Sequence, residues 1–502
     1  MSLTKRQQRM KAWRADWCLF ARQVLHAKLD AEQQELLRAI QNNKRVSCAS
    51  GTSRGKDFVA AVAAVCFLYL TPRWKDGKLV ANTKVIMTAP TDRQVGNIMS
   101  PEVRRLFKSA GVLPGRLVKY DIRTDHEEWF LTGFKSGDDN TEAWSGLHAV
   151  NIMFVVTEAT GVSDTVFNAI EGNLQGNSRL FLAFNFNRTT GYAAKSMTSE
   201  RFKHFRLNSL NAENVVKKKI VIPGQVDYEW VKDKVETWCL RIKPEDFNEG
   251  EGDFWFEGCC YRPNDLFRVK VLGLPPRVSK DILIPYEWVM LANQRYIELM
   301  DDDFEPRKPG RIGCDVAGMG RDCSVVAKRY GSFVKPFEVH DSGGVADHMH
   351  VAGMVSSSLV KKEDKAFIDT IGEGAGVYSR LRELGYRNAF SCKFSEGASG
   401  LSDMTEVRTF ANMRAYLFWA VRDWLDPQNR REPAIPPDDL FMQECTEIHW
   451  KFQSNGDIII EPKEEIKKRL GRSPDRFDAL ANTFYPHDSV DISENETFDD
   501  LL

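Results

Sequence analysis

Arg45-Val46-Ser47-Cys48-Ala49-Ser50-Gly51-Thr52-Ser53-Arg54-Gly55-Lys56-Asp57 runs straight into Phe58-Val59-Ala60-Ala61-Val62-Ala63-Ala64-Val65. An apolar-leaning run, a small-residue loop ending in Gly-Lys and a long apolar run predict strand, loop and helix in that order. This is the layout of a phosphate-binding loop, in which amides at a helix N-terminus cradle an anion and a Lys reaches its terminal phosphates. Ser50, Gly51, Thr52, Ser53, Arg54, Gly55, Lys56 and Asp57 are therefore candidate nucleotide-binding residues. Two positions depart from the G-x-x-x-x-G-K-[ST] pattern. Ser50 replaces the first Gly, and Asp57 stands where a Ser or Thr would ligate Mg²⁺. Gly-Lys in a Ser/Gly loop also occurs by chance, so the flanking sequence has to decide.

Upstream, residues 1–44 read as amphipathic helices, and Asp30-Ala31-Glu32-Gln33-Gln34 precedes the loop. The Gln33 amide carries the donor and acceptor that an adenine edge needs; a solvated helix start is the plainer alternative. Downstream, Lys84 to Thr91 is a strand ending in a turn. Asn151-Ile152-Met153-Phe154-Val155-Val156-Thr157-Glu158 is a buried strand ending in an acid. That is the form of a Walker B element, whose usual Asp-Glu pair holds Mg²⁺ and activates water. Here Thr157 takes the Asp place. The two departures form an exchange: the loop supplies a carboxylate, Asp57, and the second strand a hydroxyl, Thr157, so a hard cation still meets oxygen donors. The rival is a decayed, inactive site. A further strand, Arg179 to Phe184, ends at Asn185, a polar residue placed to sense the γ-phosphate and couple its loss to the next segment. Hydrophobic strands alternating with helices predict an α/β parallel sheet with ligand at the strand C-termini.

The bulk composition narrows the function classes. With 502 residues, two or three domains are expected, and 42% hydrophobic with 28% charged residues is ordinary soluble composition. A formal net charge of −1 provides no global basic field, so any nucleic-acid binding must be local. The 10 Cys lack CxxC spacing and read as reduced thiols. Residues 1–11 have no apolar core and are not a signal peptide. The run from Phe58 to Leu70 is too short for a bilayer, so no membrane association is expected.

Residues 226–305 read as a lid and linker, closed by Pro306-Arg307-Lys308-Pro309-Gly310. A second pattern then begins. Arg311 to Asp315 is a strand carrying an Asp into a Gly-rich turn, Cys323 to Arg329 returns, and Ala366-Phe367-Ile368-Asp369 ends in another Asp. Ser473-Pro474-Asp475-Arg476-Phe477-Asp478 starts a helix with acids three apart. Acids on two strand ends and one helix suit two metal ions ~4 Å apart on a phosphodiester, the RNase H-like arrangement. Taken singly, each Asp could equally form a turn or cap a helix. Asp347-His348-Met349-His350 reads as a surface pair at a helix start rather than a zinc site, because no Cys or further His stands at ligand spacing. Lys217-Lys218-Lys219 and Lys467-Lys468-Arg469 with Arg472 could meet a DNA backbone, or be solvated faces. Residues 488–502, rich in Asp and Glu without Lys or Arg, read as a disordered acidic tail and docking peptide.

In this order the elements resemble the large terminase subunit of tailed double-stranded DNA bacteriophages. The resemblance covers roughly residues 30–486. It is carried by the Gln33 segment, the Ser50–Asp57 loop, Thr88-Ala89-Pro90-Thr91 with Gln94, Gly146-Leu147-His148-Ala149, Thr157-Glu158, and Asn185 through Gly191. In the second half its carriers are Asp315-Val316-Ala317 with Gly320 and Asp322, Ile368-Asp369 with Gly372, and Ser473-Pro474-Asp475 with Asp478-Ala479-Leu480. It implies a P-loop ASCE-type ATPase domain with a parallel sheet (1–225), the lid/linker region (226–305), an RNase H-like nuclease domain (306–487) and the tail (488–502). ATP with Mg²⁺, and two Mg²⁺ or Mn²⁺ in the nuclease, are the implied cofactors. Lys56 would bind phosphates, Asp57 and Thr157 hold Mg²⁺, Glu158 be the catalytic carboxylate and Asn185 the coupling residue. Asp315, Asp369 and Asp478 would be the nuclease ligands, with Asp475 accessory. Implied partners are double-stranded DNA, the portal and procapsid, a small terminase subunit and further copies in a ring, a pentamer when packaging. The implied location is the host cell cytoplasm, transiently on the procapsid and not in the mature virion. Arg54, Arg104, Arg105 and Arg123 are candidates for an arginine finger. A helicase–nuclease repair fusion and an inactive structural adaptor are the competing functions.

Overall fold

The computed structural model describes residues 4–136, 144, 147–277, 281–301, 304–318, 322–341 and 343–487. Gly146, Gly320 and the expected acidic tail lie outside them. The chain separates into two compact units, Met1–Pro276 and Arg277–Leu502. The division falls inside the stretch read as lid and linker.

The first unit is built on an eight-stranded sheet. Its strands are β1 (Arg45–Ser50), β2 (Thr83–Ala89), β3 (Arg116–Val118), β4 (Asp121–Arg123), β5 (Trp129–Lys135), β6 (Asn151–Thr157), β7 (Asn177–Phe184) and β8 (Lys203–Leu207). The spatial order is β8-β1-β7-β6-β2-β5-β4-β3. The first six run parallel, and β4 and β3 add an antiparallel edge. One strand, β7, separates the loop strand β1 from the acidic strand β6, the interposed-strand order of ASCE ATPases. Helix α1 (Ala31–Asn42) precedes β1, and α2 (Lys56–Leu70) follows the loop. Strands β2 and β6 are buried along their whole length, as expected of parallel strands covered on both faces. Helix α2 is apolar all round, and every residue from Val59 to Leu70 is buried. A helix with no polar face needs cover on all sides, and α1, the N-terminal helices and the sheet provide it.

The second unit holds a sheet of different design. Strands β9 (Arg311–Asp315), β10 (Ser324–Tyr330), β11 (Phe333–Val334), β12 (Glu338–His340), β13 (Lys365–Asp369) and β14 (Ala389–Cys392) are ordered β11-β10-β9-β13-β14, with β12 also pairing β10. The early strands are antiparallel, while β13 and β14 run parallel to β9. This is the RNase H-like topology. The register pairs Cys314 with Ile368, so the next residues, Asp315 and Asp369, emerge side by side at the same sheet edge. Around the sheet lie α3 (His348–Ser358), α4 (Gly374–Glu383), α5 (Met413–Leu425), α6 (Lys463–Leu470) and α7 (Asp475–Asn482).

Helix α7 lies unusually close to β9. A Cβ on Gly313 would stand 1.9 Å from the Ala479 carbonyl oxygen and 3.0 Å from the Thr483 amide nitrogen. Only a residue without a side chain lets the helix approach far enough to bring Asp478 to the strand ends. Gly313→Ala is therefore expected to lose about 1–3 kcal/mol of stability through overpacking. Gly353→Ala, in α3 with nothing within 4 Å of the added carbon, should instead gain about 0.5–1 kcal/mol. Urea denaturation of both variants against wild type checks the contrast.

Candidate functional site

In the first unit the loop turns into α2 at Gly55, whose φ of +82° suits glycine. Lys56 then projects back between two acids, its Nζ 2.8 Å from Glu158 Oε1 and 3.3 Å from Asp57 Oδ2. Burial alone would lower the Lys56 pKa, but Asp57 and Glu158 more than offset it and hold it above its ordinary value. Burial raises the Asp57 carboxyl, opposed by Lys56. The other Asp57 oxygen, Oδ1, is buried without a hydrogen-bond partner. An oxygen so placed, beside a lysine and the free amides of a helix first turn, fits a magnesium–triphosphate pair. Glu158 sits immediately after β6 with φ +49°, a left-handed conformation that a side-chain-bearing residue adopts at a cost of order 1–3 kcal/mol.

Asn185 Nδ2 donates to the Ser50 carbonyl at 2.6 Å, tying the end of β7 to the start of the loop. The Ser50 hydroxyl donates to the Gly51 carbonyl, and the Thr52 amide to Lys270 O at 2.6 Å. Ser53 has φ +51°, and its carbonyl accepts from the Val226 amide. The Thr157 hydroxyl donates to Met99 Sδ at 2.9 Å. Gln33 is buried as the third residue of a capping box on Asp30, and its Nε2 donates to the Arg54 carbonyl at 3.0 Å. In this conformation its amide holds the loop. Arg54 is 1% exposed and ion-paired to Asp30 at 2.5 Å and Glu32 at 2.8 Å. A guanidinium buried and paired inside its own subunit does not reach a neighbour's site, so Arg54 falls out as a trans arginine finger.

In the second unit Asp315 and Asp369 stand at adjacent strand ends, and α7 adds Asp475 and Asp478. Lys463, the first residue of α6, points among them with Nζ 2.6 Å from Asp478 Oδ2. Burial raises Asp315 well above the carboxylate range; Lys463 opposes this, and Asp478, Asp475 and Asp369 add to it. Burial pushes Asp369 up to about 6, while the Ile371 amide that it accepts from works against the shift. Burial also raises Asp475, which accepts from the Cys323 amide at 3.1 Å. Lys463 is itself held above its ordinary value, the acids outweighing its burial. Asp478 Oδ1 is buried without a hydrogen-bond partner. Asp315, Asp369 and Asp475, each raised first by burial, with an orphaned Asp478 oxygen beside them, make a cluster that fits divalent cations.

Lys463 carries no motif in the sequence. The only available signal was the Asp-rich context that demands a counter-charge. The basic runs offered for DNA are largely spent on ion pairs: Lys217 with Glu213, Lys218 with Glu257, Lys467 with Asp322, Lys468 with Glu465, and Arg472 with the buried Glu444.

Together these features define a chain with a P-loop ATPase-type unit followed by an RNase H-like unit. No family model matches the sequence. The chain is 24% identical over 522 residues to "Probable terminase, large subunit" of Enterobacteria phage P7, an alignment covering 96% of this chain and 94% of that protein. The resemblance to large terminase subunits read from the sequence thus extends over nearly the whole chain. Among solved structures, the large terminase of a thermophilic bacteriophage is 11% identical, covering 91% of this chain and 98% of that one at a TM-score of 0.38. The nuclease domain of the large terminase subunit gp2 of bacterial virus Sf6 is 22% identical, covering 41% and 99% at 0.35.

An acid whose folded pKa is raised binds its proton more tightly folded than unfolded, so stability falls as pH rises between the two values. For metal-free protein in EDTA, the urea midpoint should fall between about pH 4 and about pH 6, where Asp369 ionises. The fall should be shallower in Asp369→Asn. Equal slopes in both proteins would place Asp369 outside the strained cluster.

Proposed function

We propose that this chain is the motor and nuclease subunit of a phage DNA-packaging machine, hydrolysing ATP to drive double-stranded DNA through a portal into a procapsid and cutting concatemeric DNA at initiation and termination. The observation that carries the reading is the presence, in one chain, of two separate lysine-bearing carboxylate sites at strand C-termini, on an ASCE-type sheet and an RNase H-like sheet. The end-to-end similarity to a phage large terminase supports it.

In this reading residues 1–225 carry the ATPase, 226–305 the lid and linker, and 306–487 the nuclease, with 488–502 as a tail. Lys56 and the amides of the first turn of α2 bind the phosphates, while the Gly51 and Thr52 amides are held by Leu207 and Lys270 carbonyls. Asp57 and, on turning its hydroxyl from Met99 Sδ, Thr157 would hold Mg²⁺, which would supply charge neutralisation, and Glu158 orients and deprotonates the attacking water. The Asn185–Ser50 hydrogen bond links the loop to the segment after β7, a route for coupling the nucleotide state to movement. Asp315, Asp369 and Asp478, with Asp475, would hold two Mg²⁺ or Mn²⁺, which would supply polarisation of a phosphodiester. Portal, small terminase subunit, DNA and further copies in a pentameric ring are the partners, in the host cytoplasm and transiently on the procapsid. The helicase alternative requires a second RecA-like sheet, whereas the second unit's sheet is of the RNase H-like order.

Two separable losses are expected. Lys56→Ala and Glu158→Gln should reduce ATPase turnover by about 10²–10⁴-fold while leaving Mn²⁺-dependent plasmid cleavage intact. Asp369→Ala should abolish cleavage and leave ATP hydrolysis unchanged. Wild-type hydrolysis in Glu158→Gln would remove the motor assignment, and cleavage by Asp369→Ala the nuclease assignment.

A further inference from the structure

The helix-start pair His348 and His350 separates in the structure. His348 Nε2 lies 2.7 Å from Glu373 Oε2, while His350 turns to a partner that the local spacing concealed. His340, at the end of β12, stacks on His350 with ring centroids 4.0 Å apart and an interplanar angle of 24°. Asp347 caps α3, its Oδ1 accepting from the His350 amide at 3.0 Å. Its Oδ2 is thereby turned toward His340 Nε2, at 3.5 Å. One ligand atom from each of His340, Asp347 and His350 lies within 4.8 Å of the others, and no other such group of three occurs among the described residues.

We infer that His340, Asp347 and His350 form a binding site for a borderline transition-metal cation of the Zn²⁺ type, distinct from the carboxylate cluster. One observation points the same way independently of the clustering. His340 Nε2 is buried and makes no hydrogen bond, its approach to Asp347 Oδ2 stopping at 3.5 Å, so the bonding capacity of this nitrogen is not met within the fold. Two imidazole nitrogens and one carboxylate oxygen match a three-ligand zinc set with one open position, whereas Mg²⁺ and Mn²⁺ favour all-oxygen surroundings such as the Asp cluster. Bond lengths of about 2.0–2.1 Å place tetrahedral ligand atoms about 3.3 Å apart, so closing the site requires the two imidazoles to unstack and turn their nitrogens toward one point.

The bound ion would fasten the end of β12 to the first turn of α3. His340 is registered opposite Ser324, next to Cys323, whose amide holds Asp475. The clip thus braces the strand edge beside the carboxylate cluster.

The test uses the full chain, stripped with EDTA and dialysed into millimolar Mg²⁺ to load the carboxylates. Zn²⁺ is titrated calorimetrically, and Co²⁺ is followed by its visible d–d bands. About one equivalent of Zn²⁺ and a tetrahedral Co²⁺ spectrum are expected, with affinity at least 10–100-fold weaker in His340→Gln and in His350→Ala. The same equivalent should persist in Asp478→Asn and in His348→Ala. Undiminished binding in the His340→Gln/His350→Ala double variant, no binding by wild type, or loss of the equivalent in Asp478→Asn would each overturn the assignment. Circular dichroism of each variant confirms that a loss of binding is not a loss of fold.

Discussion

A carboxylate buried at the end of a strand is unfavourable unless a cation stands beside it, and both units are built around meeting that requirement. In the first, Lys56 bridges Asp57 and Glu158; in the second, Lys463 pairs with Asp478 among Asp315, Asp369 and Asp475. The two arrangements share a detail. In each, the lysine serves one oxygen of an aspartate and leaves the other, Asp57 Oδ1 or Asp478 Oδ1, buried and unpartnered. One ammonium per cluster compensates only part of the negative charge. The remainder shows as carboxyls raised by burial and by their neighbours. Such a cluster has unmet affinity for divalent cations, which is what a site for phosphoryl chemistry needs.

Backbone packing sets where these charges meet. Gly55 in a left-handed conformation lets the loop turn so that Lys56 opens α2 and reaches across to β6. Gly313 lets α7 lie against β9, without which Asp478 would stand away from Asp315 and Asp369. In the first unit the Asn185–Ser50 hydrogen bond and the Gln33–Arg54 hydrogen bond hold the loop from either side. The second unit has no equivalent loop among the described residues; its acids are fixed by sheet register and one helix.

Much of this was legible in the sequence because it rests on local pattern. Strand–loop–helix order around Ser50 to Asp57, strand runs ending at Glu158, Asp315 and Asp369, and the Pro-started helix carrying Asp475 and Asp478 are all written in consecutive residues. What escaped depends on long-range approach. Lys463 pairs with Asp478, 15 residues along the chain, but reaches Asp315 and Asp369 only through the fold and belongs to no motif. His340 and His350 are joined by a strand end folding back on a helix start, a pairing that linear spacing disguised. Arg54 looked available because a loop arginine usually is, but two acids on α1 and its cap bury it. The amide of Gln33, read as an adenine contact or a solvated helix start, closes a capping box on Asp30, which the sequence alone does not display.

The central claim is that both lysine-bearing clusters are cation sites held ready by one fold. Anomalous diffraction from crystals grown with Mn²⁺ and a non-hydrolysable ATP analogue addresses it most directly. The account predicts one Mn²⁺ peak at Asp57 beside the triphosphate, with Lys56 withdrawn from Glu158 to the phosphates, and Mn²⁺ among Asp315, Asp369 and Asp478 with Lys463 displaced. Nucleotide and metal absent from both clusters at saturating concentration, with Lys56 and Lys463 still bound to their acids, would contradict it.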